Sequence, residues 1–260
     1  MHRLNSIDEI LSHQLKIKKA RAEIQFQSIS NLERPREVYL KTCLTIANYF
    51  ERYGFKYLKS SAELVQETND KSLKFKIRFQ SDYSNIAGVY VGLSVTVFIE
   101  SIGLKKWQKQ HAIPGQTPWA MIYVGDISKF SQTKHLLFQW NIADNNEREI
   151  AIIEIIDLIE NDVLPTFELF KDVELICSLI IEGDFVSYDP LINIQYLLFN
   201  KSRTETITAI KNYLQKGESR MEQYLIDNEK IKKDGLPQKM FSYSHNIALF
   251  TNYYQLGDIA

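Results

Sequence analysis

The residues of this chain best placed to do chemistry are carboxylates in close pairs. Glu154 stands three residues before Asp157, Glu160 two before Asp162, and Glu182 two before Asp184. Three-residue spacing puts Glu154 and Asp157 on one helix face. Such a pair can act as general acid and base, or as ligands of Mg²⁺. It can equally be a plain solvated face, the ordinary setting of helix carboxylates. A third reading is a dock for a basic protein, through steering and charge complementarity. Residues 147–189 favour it, with 12 Asp/Glu against two bases, Arg148 and Lys171. A second set lies in the stretch 100–118, which Gly103, Pro114, Gly115 and Pro118 mark as a loop. There Lys105, Lys106, Lys109 and His111 surround Trp107, an amphipathic anchor suited to a partner surface.

Other chemistries lack their usual residues. The five histidines, His2, His13, His111, His135 and His245, are scattered, and no HxxxH or CxxC pairs them. No metal and no cofactor is expected, short of a site assembled from distant segments. There is no GxSxG elbow, no GxxxxGK[ST] and no GxGxxG. The two cysteines, Cys43 and Cys177, sit in apolar helical text and read as reduced core thiols. That use of cysteine fits a reducing compartment.

Net charge is −1, which excludes a general polyanion binder. Nucleic acid would need a basic patch with stacking aromatics. Lys74, Lys76 and Arg78 alternate along a strand and read better as its wet face. MHRLNSIDEILSH lacks the long apolar run of a secretory signal, and AIIEIIDLI and ICSLII are too short or too acidic to span a membrane. A cytoplasmic, soluble protein with no membrane partner is expected.

The elements that must position these residues follow from periodicity. A helix is predicted over 5–25, with Ser6 and Glu9 as its capping box. A second runs 35–53, opened by Pro35 and ended by Gly54. Strands follow at 55–58 and 62–65. In 73–80, Leu73, Phe75, Ile77 and Phe79 alternate with polar residues, and 89–97 repeats the pattern. Further strands are expected at 119–124 and 135–142. An acidic helix covers 147–170, with Ile152, Ile156, Ile159 and Val163 on one side and Pro165 kinking or ending it. A short apolar helix is expected at 171–182, two more in 189–233 with a break near Asn200, then a stop at 234–237. An aromatic-rich segment, 241–256, closes the chain.

Runs of strands followed by runs of helices predict an α+β fold. The expectation is an antiparallel β-meander sheet of about four to six strands packed against helices, with a helical C-terminal part. A soft boundary sets a domain of 1–186 apart from an extension of 187–260. The segments GFKYLKSSAELVQ, LKFKIRFQSD and GVYVGLSVTVFIES, with the later IIDLIENDVLPTFELFKDVELICSLI, resemble the uncharacterised bacterial DUF4304 family. The resemblance covers about 33–185. It implies an α+β fold and no residue-level site.

The leading functional expectation is a non-enzymatic, partner-binding protein, such as an immunity protein that neutralises a basic, toxin-like partner. Its contacts would be Glu154, Asp157, Glu160 and Asp162, with Lys105, Lys106 and Trp107 as a second set. The alternatives are a hydrolase with a carboxylate-lined pocket, and a nucleic-acid module built on Lys105–Lys109. The sequence leaves the oligomeric state open.

Overall fold

The computed structural model describes residues 33–111, 118–129, 139–184, 186–187, 189–236, 247–257 and 259. The helix expected at 5–25 lies outside them, as do Phe241, Tyr243 and the first half of the strand expected at 135–142.

Helix α1 spans Pro35–Phe50. Proline suits its first turn because the missing N–H would have no helical partner there. Val38, Cys43, Ile46, Ala47 and Phe50 are buried along it. A 3₁₀ turn, Glu51–Tyr53, follows, and Gly54 ends it at φ 82°.

Among the described residues six strands then form an antiparallel sheet. β1 (Lys56–Leu58), β2 (Glu63–Glu67), β3 (Leu73–Ser81), β4 (Gly92–Ser101) and β5 (Met121–Asp126) lie side by side in chain order, and β6 (Trp140–Asn141) also pairs with β4. Tyr57 faces Leu64 across β1 and β2, and Leu93 faces Trp140 across β4 and β6. The period of two holds. Leu73, Phe75, Ile77 and Phe79 are buried in β3, and Leu93, Val95, Val97 and Ile99 in β4. β4 begins three residues later than its alternation suggested, because Tyr90 is held by a bridge to Ile86 and the Gly92 N–H donates to Asn85 Oδ1.

The loop expected at 100–118 is a helix over its first part: α2 spans Ile102–Gln110. Ser101 caps it by accepting the Leu104 N–H at 3.1 Å, and Leu104 and Gln108, four apart, form its buried side. Gly103 lies within it because the Phe199 ring occupies the place of a Cβ, 2.7 Å away.

Pro165 does not end the acidic helix. Helix α3 (Asn145–Leu158) continues into a π-turn, Ile159–Val163, and then α4 (Leu164–Lys171). Leu164 donates five residues back, to Ile159. This wider winding relieves the clash that a proline ring makes with a normal helix carbonyl. Helix α5 spans Val173–Ile181, α6 Pro190–Asn200, α7 Arg203–Gln215, α8 Glu218–Asp234 and α9 Ile247–Tyr253. The stretch 189–233 therefore holds three helices rather than two. The second break falls at Gly217, with extended backbone before α8.

The chain divides into two compact units. The first takes the described parts of 1–66, 76–97 and 125–165. There α1 packs on α3, and the Tyr39 hydroxyl donates to the Phe79 carbonyl of β3. The second takes the described parts of 67–75, 98–124 and 166–260. There Leu191, Ile194, Ile210, Leu214, Tyr224 and Phe250 form a core among α6 to α9. The aromatic C-terminal segment thus packs inward where it is described. Tyr254 also accepts a hydrogen bond from Gln195. No helix among the described residues is long and apolar enough to cross a membrane.

Gly183, at φ 86° after α5, has the backbone nitrogen of Tyr213 only 2.8 Å from where a Cβ would sit. At Gly54 the nearest atom is a side-chain nitrogen of Gln66 at 3.4 Å. Gly54→Ala is expected to cost about 1–2 kcal/mol, the strain of a left-handed L-residue. Gly183→Ala adds a clash with rigid backbone and should cost clearly more. Urea unfolding of both variants checks the order, and equal losses would contradict it.

Candidate functional site

The acidic helix begins at a well-made cap. Asp144 accepts the N–H groups of Asn146 and Glu147 at 2.8 and 3.2 Å, and acidic groups are favoured in a helix first turn. The buried side of α3 is Ala151, Ile155 and Leu158. This differs from the expected stripe of Ile152, Ile156, Ile159 and Val163. Ile152 and Ile156 sit only half-buried at its flank, while Ile159 and Val163 are fully buried in the π-turn. The opposite face is open. Ile150 and Ile153 are 57% and 68% exposed, and Asn146, Glu149, Glu154 and Asp157 are exposed beside them. At 100° per residue these six positions fall within one side of the helix.

Among the described residues no base pairs with the carboxylates on this face. Glu149 has no side-chain partner among the described residues. Glu154 accepts the Trp140 Nε1–H at 2.8 Å, and Asp157 accepts Asn161 Nδ2 at 2.7 Å. Both partners are neutral, so neither bond is an ion pair. The one base of α3, Arg148, is engaged elsewhere. It donates to the carbonyls of Ile142 and Ala143 and lies 3.4 Å from Glu33. Lys171, in the second unit, pairs with Glu168 at 2.5 Å.

Glu160 has a different setting. It lies half-buried in the π-turn, where the hydroxyls of Tyr49 and Tyr53 both donate to its Oε1, Tyr49 at 2.7 Å. The Arg52 guanidinium stacks 3.5 Å above the Tyr49 ring. The Tyr53 and Tyr49 hydrogen bonds, with the nearby Arg52 charge, hold the Glu160 carboxyl below its ordinary value. The same bonds raise both tyrosines. Glu160 therefore clasps the end of α1 to the turn after α3. Asp162, two residues on, is half-buried.

The second expected set lies on α2. Lys105, Lys106 and Lys109 are exposed. Trp107 is half-buried, and its ring stacks on His111 at 4.3 Å with an interplanar angle of 17°. Its anchoring surface is largely used within the molecule. Beneath it Gln108 Nε2 donates to Gln195 Oε1 at 2.8 Å.

Two cavities bear on catalysis. One, of about 480 Å³ in the second unit, is lined by Leu73, Val173, Tyr196 and Phe199 with Asp70 as its carboxylate. The other, of about 730 Å³ in the first unit, has Asp82 as its carboxylate. Among the described residues neither brings two carboxylates together, and neither is lined by Glu154, Asp157, Glu160 or Asp162. Among the described residues no group of three His, Cys, Asp or Glu is placed to hold a metal. Burial pushes the Cys43 thiol up to about 12 and that of Cys177 up to about 11, so both stay protonated at neutral pH.

No family model matches the chain, and neither a curated protein nor a solved structure matches it. The class that the fold defines is an α+β protein with an antiparallel sheet. Its most unusual surface is an acidic helix face carrying two bare isoleucines. Sequence reasoning missed Ile150 and Ile153 because α3 has isoleucine at 150, 152, 153, 155 and 156, all round its circumference. Ala151 is the clue that was available. A small residue marks close helix packing, and Ile155, Leu158 and Ile159 follow it at helical spacing.

The Glu160 clasp gives a pH signature. A depressed carboxylate adds stability above its unfolded value, and that stability is lost as pH falls through the folded value. Glu160→Gln should therefore lower stability near neutral pH by about 0.5–1 kcal/mol, the scale of an exposed polar contact. The gap to the parent should close below about pH 4.5, where the unfolded carboxyl takes up its proton. Urea midpoints from pH 3 to pH 7 test this, and a gap constant with pH would refute it.

Proposed function

We propose that this chain is a non-enzymatic protein-interaction module that docks a basic partner protein through the exposed face of α3. The observation that carries the reading is the pairing of Ile150 and Ile153, 57% and 68% exposed, with the unneutralised carboxylates Glu149, Glu154 and Asp157. Exposed aliphatic side chains on a charged face suit an interface, with an apolar centre and a polar rim. The carboxylates would steer a cationic partner and set its orientation, while the isoleucines would supply the buried contact.

An immunity protein that blocks a cationic toxin is the function class this surface fits, and it goes with a cytoplasmic setting. The DUF4304-like text of 33–185 agrees with the fold and adds no site. The hydrolase reading has less support, since neither cavity pairs carboxylates. Lys105 and Lys106 are a second possible contact on α2, and Trp107 contributes less than its exposure in a loop would have allowed.

Co-expression with the product of the adjacent upstream gene, followed by affinity capture, tests the proposal. The parent chain should retain its partner. Ile150→Ala with Ile153→Ala should weaken binding by about 30-fold, the scale of a two-residue hot spot. Glu149→Lys with Asp157→Lys should slow association and flatten its salt dependence. All four side chains are exposed, so the fold should persist. Capture that is indifferent to both double variants, or no capture between about 50 and 500 mM salt, would sink the proposal.

A further inference from the structure

The 730 Å³ cavity of the first unit is bounded by the start of α1, the turn between β1 and β2, and the loop after β3. Its walls are well defined. Ser61 donates to Glu63 at 3.0 Å, and Glu63 is itself buried and paired with Arg78. In the loop, Asp82 accepts the Ser84 N–H at 2.7 Å, and Asn85 donates to Ser81 at 2.7 Å.

Three cations line this cavity: Arg34, Arg36 and Lys59. None has a side-chain hydrogen bond, ion pair or ring contact among the described residues. Neighbouring bases are engaged, Lys41 and Arg148 with Glu33 and Arg78 with Glu63. The one carboxylate among the described residues of the wall, Asp82, is tied up by Ser84, by the Tyr90 hydroxyl at 3.2 Å and by Gln139 at 3.0 Å. The cavity is left with a surplus of positive charge and the Ser60 hydroxyl at its edge.

Convergent guanidinium and ammonium groups suit a phosphate, whose oxygens accept several charge-assisted hydrogen bonds at once. The volume lies in the range of small-molecule sites and far exceeds one phosphate group. Tyr83 also lines the cavity, its side chain wholly exposed, and presents a flat aromatic face to the remainder of a ligand. We propose that this cavity binds a nucleoside phosphate, with Arg34, Arg36 and Lys59 on the phosphate and Tyr83 against the base. A nucleic-acid strand fits less well, because the three cations line one cavity.

The proposal is independent of the docking face on α3. Calorimetric titration of the full chain with AMP, GMP, CMP and UMP tests it, with adenosine and inorganic phosphate as the two partial ligands. At least one nucleotide should bind saturably. Adenosine and inorganic phosphate should each bind at least about tenfold more weakly, since each lacks one half of the contacts. Arg34→Ala, Arg36→Ala and Lys59→Ala together should abolish nucleotide binding while leaving the melting transition in place, because all three side chains are exposed. Tyr83→Ala should weaken the nucleotide and leave inorganic phosphate unchanged. The proposal is overturned if none of the four nucleotides saturates up to about 10 mM. Unchanged affinity in the triple variant would overturn it too, as would binding of single-stranded RNA without any nucleotide saturation.

Discussion

Helix α3 carries more apolar side chains than its neighbours can cover, and the character of the first unit depends on that excess. A helix packed on one side buries a stripe somewhat over 100° wide. Five isoleucines lie between residues 150 and 156, spread around the whole circumference. Packing on α1 buries the side marked by Ala151, Ile155 and Leu158. The isoleucines on the far side are left in water, and the carboxylates interleaved with them are left there too. One choice of helix phase decides both which residues build the core and which form the candidate surface.

Charge on that surface survives because the local bases are committed to other acceptors. Arg148 is held by two carbonyls at the end of β6 and by Glu33. Glu154 and Asp157 are met by an indole and an amide, which satisfy oxygen lone pairs without cancelling charge. Glu160 is the exception in kind. Two phenols and a nearby guanidinium turn it into a clasp, so a residue that looked like part of an acid pair acts on structure.

The sheet was readable in the sequence because alternation leaves little freedom. In β3, shifting the reading by one residue would put Lys74, Lys76 and Arg78 in the core. Helices with a mixed composition were harder. The Ile102–Gln110 segment has only Leu104 and Gln108 on its inner side, and a buried glutamine does not announce itself as core. Its glycine looked like loop punctuation, but it makes room for Phe199. The phase of α3 was hidden by its surplus of isoleucine. The cationic cavity was hidden by distance, since Lys59 comes 23 residues after Arg36 and only the turn between β1 and β2 returns it.

The π-turn at Ile159–Val163 also has a bearing on how the chain tolerates changes in length. A turn closed by a bond five residues back holds one residue more than the α-helix it interrupts. Each helical residue advances the side-chain direction by about 100°. Loss of a single residue after Glu160 would restore regular winding and leave the flanking side chains near their present directions, because the wider turn had absorbed the extra residue. Glu160 precedes such a deletion and would keep its place opposite Tyr49 and Tyr53. A one-residue deletion at this place would instead return the Pro165 ring to a carbonyl that regular winding brings against it, so the extra residue is what lets a proline stand inside a continuous helix.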